Sequence, residues 1–281
     1  MNKLKFLEEI KMKGVTFQTG GPSAHLEITY AHPNVLCGGS PGRVRDMASY
    51  LNNAEIIESR RGLVTVHGDY KGTPITAFST GMGSASVSIT MPEIIEAYEG
   101  KKMAFLRLGT SGGLHPDTRV GDFVITTTVD RHESTSDKIM GEGYVARASP
   151  EAIETLRSAA TEMAMPGQQV HVGPTMVTDD LYFFNQELQE RYAGNEELRR
   201  KEIPDVLAVS MEFSVLCALR DRYNRDFEKE IKTGNLLTVS DLPFSTEERV
   251  DQSDFLGSMA RIEDAQIRAG LETLVELSQQ R

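Results

Sequence analysis

An α/β fold, with a central mixed and mostly buried β-sheet flanked by helices, is what this sequence predicts. Short apolar runs rich in Val, Ile, Phe and Thr alternate with longer stretches of helical spacing. Several of those runs end in Gly, Ser or Thr clusters that open the next helix or turn, as strand ends do where α/β folds bind ligands. A third observation bounds the size. The 281 residues suffice for one large domain that hides about three-quarters of its unfolded surface. No repeat, low-complexity tract or Pro/Ser-rich linker divides the chain. The expected organisation is a single domain over 1–281, with 1–24 as an N-terminal extension.

In chain order, NVLC (34–37) is the first expected strand, and CGGSPGR turns it into the helix GRVRDMASYL (42–51), with Pro41 suited to the first helical turn. LVTVHG (63–68) and PITAFST (74–80) are strands bounded by polar segments. STGMGS then leads into the helix SASVSITMPEIIEAY (84–98). MAFLRL (103–108) reads as a buried strand ending in a Thr-Ser-Gly-Gly turn, followed by the strand DFVITTTV (122–129). A helix over 150–164, a strand over QVHVGPT (169–175) and a helix over 211–223 come next. NLLTVS (235–240) is the last strand. The final helix, 255–277, sets Phe255, Met259, Ile262, Leu271, Leu274 and Leu277 on roughly one face.

Composition excludes several function classes. With 39% hydrophobic and 25% charged residues the chain resembles an ordinary globular protein. A net charge of −11 argues against nucleic acid or anionic membrane as partner, so any anion must be bound by a local cationic cluster. Cys37 and Cys217 sit in apolar surroundings and read as small buried hydrophobes, not a disulfide, metal pair or nucleophile. CxxC and HExxH are absent, and His115, His132 and His171 have no metal-like spacing, so no metal is expected. MNKLKFLEEIKMKG lacks the apolar core of a signal peptide. No run approaches the ~18 apolar residues of a membrane span. The cytoplasm is the expected compartment.

The candidate site starts from Arg107, inside an apolar run. An unpaired buried guanidinium costs several kcal/mol, so either a protein carboxylate or a ligand anion must face it. Gly39 and Arg43 of CGGSPGR, and the glycines and hydroxyls of STGMGS, fit an oxyanion pocket as readily as plain strand-to-helix turns. Glu212, ahead of an apolar helix, either caps it or faces a ligand, and capping is the commoner use. Ser240-Asp241 fits a turn or cap, and His25 by default is a surface or packing histidine.

Taken in order, GGSPGR, Arg61, STGMGS, RLGTSGG, VGD, SMEFS and SD resemble the nucleoside phosphorylase-I family. That family includes uridine phosphorylase, hexameric purine nucleoside phosphorylase and related nucleosidases. The resemblance runs from about His25 to the final helix. It implies a phosphate site of Gly39, Arg43, Arg107 and Thr110, with Arg61 reaching in from a neighbouring subunit. It implies ribose contacts from Met211 and Glu212, and from His25 lent across a dimer interface to the 5′-hydroxyl. Ser210 stands where the family pattern often carries another Glu. Ser111, Gly112, Gln186 and Asp241 are the expected base contacts, with Arg107 and Asp241 catalytic. Inorganic phosphate is then the co-substrate, with no other cofactor, and the active unit is a homodimer or a trimer of dimers.

Base choice divides the cues. Uridine phosphorylases of the bacterial type read uracil with Gln-x-Arg, but Leu188 lies two places after Gln186, and the nearest arginine is Arg191. TVSDLPF resembles purine-acting members, whose aspartate protonates N7, at Asp241. GGSP and RLGTSGG look most like vertebrate-type uridine phosphorylases. The expected activity is therefore phosphorolysis of uridine to uracil and ribose 1-phosphate, with purine phosphorolysis through Asp241 second. SDLPF and the final helix also resemble the end of AMP nucleosidases, a hydrolytic alternative that needs no phosphate. A non-catalytic nucleoside-binding protein is a further alternative.

Overall fold

Strand β1 (Asn34–Gly38) is buried along its whole length because helices cover both of its faces. It pairs in parallel with β4 (Thr73–Ser79) on one side and with β5 (Lys102–Gly113) on the other. The computed structural model describes residues 23–192, 194–203, 205–244 and 252–280, with side chains of the final helix from 259 onward. All but the last two residues of the expected N-terminal extension thus lie outside the described residues.

Among the described residues nine strands form one mixed sheet. The remaining six are β2 (Asn52–Glu58), β3 (Val64–Tyr70), β6 (Phe123–His132), β7 (Val170–Thr178), β8 (Ala208–Ser210) and β9 (Glu230–Asp241). Their order is β2-β3-β4-β1-β5-β8-β7-β6-β9, and β9 also pairs with β5, so the last five strands close into a barrel. The β2, β3 and β4 meander is antiparallel, as are β5–β8 and β6–β9; the other pairings are parallel. Closure removes the free edges that β5 and β9 would otherwise expose.

The helices are α1 (Pro41–Met47), α2 (Ser84–Glu96), α3 (Thr135–Met140), α4 (Pro150–Met163), α5 (Tyr182–Tyr192), α6 (Glu196–Glu202), α7 (Phe213–Asp226) and α8 (Gln252–Gln279). Alternation along the strands sends neighbouring residues to opposite faces. Leu36, Leu106 and Leu108 pack with Val44 and Met47 of α1 and with Ile267, Leu271 and Leu274 of α8. Val35, Cys37 and Phe105 pack on the other side with Met91 of α2 and with Phe213 and Leu216 of α7.

Two expectations are corrected. The Thr-Ser-Gly-Gly segment after Arg107 is not a turn: β5 continues through it, paired to β9 from Lys102 to Gly112 with a bulge between Ser111 and Gly112. Glu212 occupies the N-cap position of α7 without using its side chain as a cap. Cys37 and Cys217 are buried and free, as expected.

Candidate active site

Four chain segments converge where β1 ends. Glycine at 38 and 39 lets them approach: a Cβ on Gly38 would lie 3.1 Å from the Leu108 carbonyl oxygen, and one on Gly39 would lie 3.3 Å from that of Gly81. The Thr80 amide donates to the Gly38 carbonyl at 2.9 Å, tying the loop after β4 to the end of β1. Beyond it, the Gly83 amide donates to Glu212 Oε1 at 2.9 Å, and the Ser84 hydroxyl donates to the Met211 carbonyl at 3.0 Å.

Arg107 lies at the centre and is 4% exposed. Its Nη2 donates to Glu212 Oε2 in a short contact, and its Nη1 donates to Asn235 Oδ1 at 3.3 Å. Nε has no hydrogen-bond partner among the described residues. Of the two partners the sequence argument left open, a protein carboxylate is present: Glu212, equally buried at 4%. It serves the arginine and the Gly83 amide instead of the helix end. A buried pair of this kind is weak evidence for stability, since desolvation offsets much of the attraction. An unpartnered buried donor beside it is a better sign of a ligand.

Asn235 is fully buried, and its amide orientation follows from chemistry. A guanidinium only donates, so Oδ1 faces Arg107, and Nδ2 donates to Thr126 Oγ1 at 2.8 Å. Thr126 in turn bonds the Thr175 hydroxyl at 3.0 Å, so a polar chain runs from the site across β9, β6 and β7. Cys37 pairs with Arg107 across β1 and β5. Burial, aided by Glu212 and opposed by Arg107, pushes its thiol up to about 12. Such a thiol is not a thiolate nucleophile.

Arg43 arrives from the opposite face of the sheet. Ser40 accepts a hydrogen bond from the Arg43 amide at the start of α1. The guanidinium donates through Nε to Glu263 at 2.5 Å and through Nη1 to the Leu108 carbonyl at 3.3 Å. Three more candidates follow Arg107 along β5, and a fourth sits on β9 opposite the last of them. Thr110 is exposed on β5; Ser111 is buried and donates to the Thr238 carbonyl at 3.3 Å; Gly112 pairs with Asp241. Asp241 is exposed at the end of β9 and accepts from the Ser240 hydroxyl at 2.9 Å.

Other candidates make no hydrogen bond or ion pair to the Arg107–Glu212 core among the described residues. Arg61 is exposed at the β2–β3 connection. His25 is anchored on α2, its Nδ1 2.6 Å from Glu93. Burial raises the Glu93 carboxyl, but the Leu26 amide, the His25 ring and neighbouring donors outweigh it and hold the group below the usual range. Gln186 is exposed on α5 and donates to Glu190 at 2.9 Å, while Leu188 is buried with Met176, Tyr192 and Phe244. Sequence reasoning missed Asn235, Glu263 and Glu93. Only Glu93 left a trace, as a carboxylate set among the apolar residues of MPEII (91–95).

A mixed sheet gathers cationic, carboxylate and amide groups at its strand ends, the place where α/β enzymes commonly bind their ligands. Comparison with known proteins narrows this. The phosphorylase superfamily profile matches residues 33–276. Guanosine phosphorylase of Halorubrum lacusprofundi is 30% identical over 85% of this chain and 91% of its own. A DeoD-type purine nucleoside phosphorylase of Roseobacter denitrificans is 31% identical over 74% and 81%. Among solved structures, uridine phosphorylase of Vibrio fischeri superposes with a TM-score of 0.75 at 22% identity, covering 93% of this chain and 100% of that one. A uridine phosphorylase of Phytophthora capsici gives 0.74 at 19%, covering 92% and 95%. The chain belongs to the phosphorylase superfamily and is an enzyme of its nucleoside phosphorylase class.

Proposed function

We propose that the chain cleaves a purine nucleoside by phosphorolysis, with Arg107 and Arg43 binding phosphate, Glu212 and Met211 binding ribose, and Asp241 serving the base. The observation that carries the phosphate site is the buried Arg107, paired with Glu212 and with its Nε unpartnered among the described residues. Phosphate attacks the anomeric carbon as the C1′–N bond breaks, and the bonding pair leaves with the base. The anionic nucleophile stabilises the oxocarbenium character of the sugar. Glu212 accepts hydrogen bonds from the 2′- and 3′-hydroxyls, so each member of the resting ion pair exchanges part of its bonding for substrate. The base takes its proton from Asp241.

Sequence cues favoured uridine; two observations support a purine instead. Where the resemblance implies a base-reading arginine stands Leu188, buried in an apolar cluster, while Gln186 is bonded to Glu190 and Arg191 to Glu202. Relatives at 30–31% identity are named guanosine and purine nucleoside phosphorylases, whereas the uridine phosphorylase structures, at 19–22%, speak to fold alone. The working form is a cytoplasmic homo-oligomer, a dimer or trimer of dimers, in which Arg61 and His25 complete a neighbour's site. Among the described residues, no helix is long and apolar enough to cross a membrane.

The test is base release from guanosine, inosine, adenosine, AMP and uridine by the wild type and Asp241→Asn. A purine nucleoside is expected to be cleaved, and the variant to lose about 10²- to 10⁴-fold in kcat. Cleavage of uridine alone, or an unaffected variant, contradicts the assignment.

A further inference from the structure

We propose that Glu263 is a positioning residue for phosphate, acting through Arg43. The inference rests on reading Arg43 as a phosphate ligand. Arg43 belongs to the short helix α1, and its long side chain must be directed if it is to meet an oxyanion at a fixed place. Two anchors direct it. Glu263 takes Nε at 2.5 Å, and the Leu108 carbonyl takes Nη1 at 3.3 Å. Gly38 lets the Leu108 carbonyl come close: a Cβ there would lie a tight 3.1 Å from that oxygen, and at an ordinary contact of 3.7 Å from Arg43 Cδ. Nη2 makes no hydrogen bond among the described residues and remains available to the anion.

Glu263 is itself held by the helix that carries it. Three residues on, Gln266 is buried and donates to the carbonyls of Gly109 and Leu236, both at 2.9 Å. Gly109 lies two residues after Arg107, so one face of α8 is pinned to the strand bearing one site arginine while it orients the other. Ile262 and Ala265 add core contacts beside it. The Glu263 side chain is 35% exposed, and a pair in that setting contributes little to stability, so its effect falls on geometry. A carboxylate placed only by chance beside an oxyanion site would repel phosphate. Here its charge is spent on the guanidinium, and the outer donor is turned toward the ligand.

The experiment measures phosphate and nucleoside kinetics of the full chain as wild type, Glu263→Ala, Glu263→Gln, Arg43→Ala and the Arg43→Ala/Glu263→Ala double variant. Glu263→Ala is expected to raise the phosphate KM about tenfold while the nucleoside KM and the kcat at saturating phosphate stay within about twofold. Glu263→Gln should recover most of the loss, because its amide oxygen still accepts from Nε. The double variant should match Arg43→Ala, and the thermal midpoint of Glu263→Ala should match the wild type. An unchanged or lower phosphate KM in Glu263→Ala, with Arg43→Ala impaired, overturns the role of Glu263 alone. An Arg43→Ala variant with normal phosphate KM overturns the phosphate-site reading, and this inference with it.

Discussion

Arg107 explains the glycine two places after it. Both residues face the same side of β5, and a Cβ on Gly109 would lie 2.1 Å from Arg107 Nη1. The guanidinium lies over Gly109 because nothing projects there, which gives the Arg-x-Gly spacing a steric cause. Gly109→Ala is expected to displace the guanidinium from Glu212 and Asn235, costing about 1–3 kcal/mol of stability and raising the phosphate KM. Denaturant unfolding and steady-state kinetics check both, and a variant with normal kinetics contradicts the steric account. At this scale the sequence was partly legible. A buried arginine announces that it needs a partner, but Glu212 and Asn235 lie 105 and 128 residues away. No local pattern points to either. The commoner use of a carboxylate before a helix, as a cap, misled at Glu212.

Elements were legible where burial set their pattern. Strands β1, β3, β4, β6 and β9 match apolar runs in the sequence, since strands buried over half or more of their length need no alternation, and β7 matches one although Val172 is exposed. β2 left no signal because NNAEIIE is largely exposed, and α5 and α6 are largely polar. β5 outran its apolar segment because β9 supplies backbone partners beyond Leu108 that no composition rule reveals. Strand β3, between β2 and β4, carries His67, whose Nδ1 meets the Thr76 hydroxyl of β4 at 3.0 Å while its ring stacks on Tyr30 at 4.2 Å. Burial, with His32 nearby, pushes its pKa down to about 4. The unfolded chain then binds the proton first, near pH 6.5, so stability falls as pH drops from about 6.5 to about 4. The linkage reaches up to about 3 kcal/mol. His67→Gln removes it, so the wild type should lose ground to the variant across that window in urea titrations. A stability difference independent of pH contradicts this assignment.

Across the whole molecule, the sheet brings groups distant in sequence to one end. α1 and α8 deliver Arg43 and Glu263 from one face, α7 begins at Glu212 on the other, and β5 carries Arg107 between them. Fold class and the order of motifs were legible because they follow from periodicity and from glycine placement at strand ends. The choice of base was not, because on the proposed reading it rests on side chains of α5 and the end of β9, and there the Gln-x-Leu at 186–188 and Asp241 point to different bases. The central claim concerns phosphate as the nucleophile. Phosphorus-31 NMR of a cleavage reaction, run with and without inorganic phosphate, tests it most directly. The account predicts ribose 1-phosphate accumulating in step with free base, and no base release without phosphate. Free ribose, formed at the same rate in the absence of phosphate, would contradict it and make water the nucleophile.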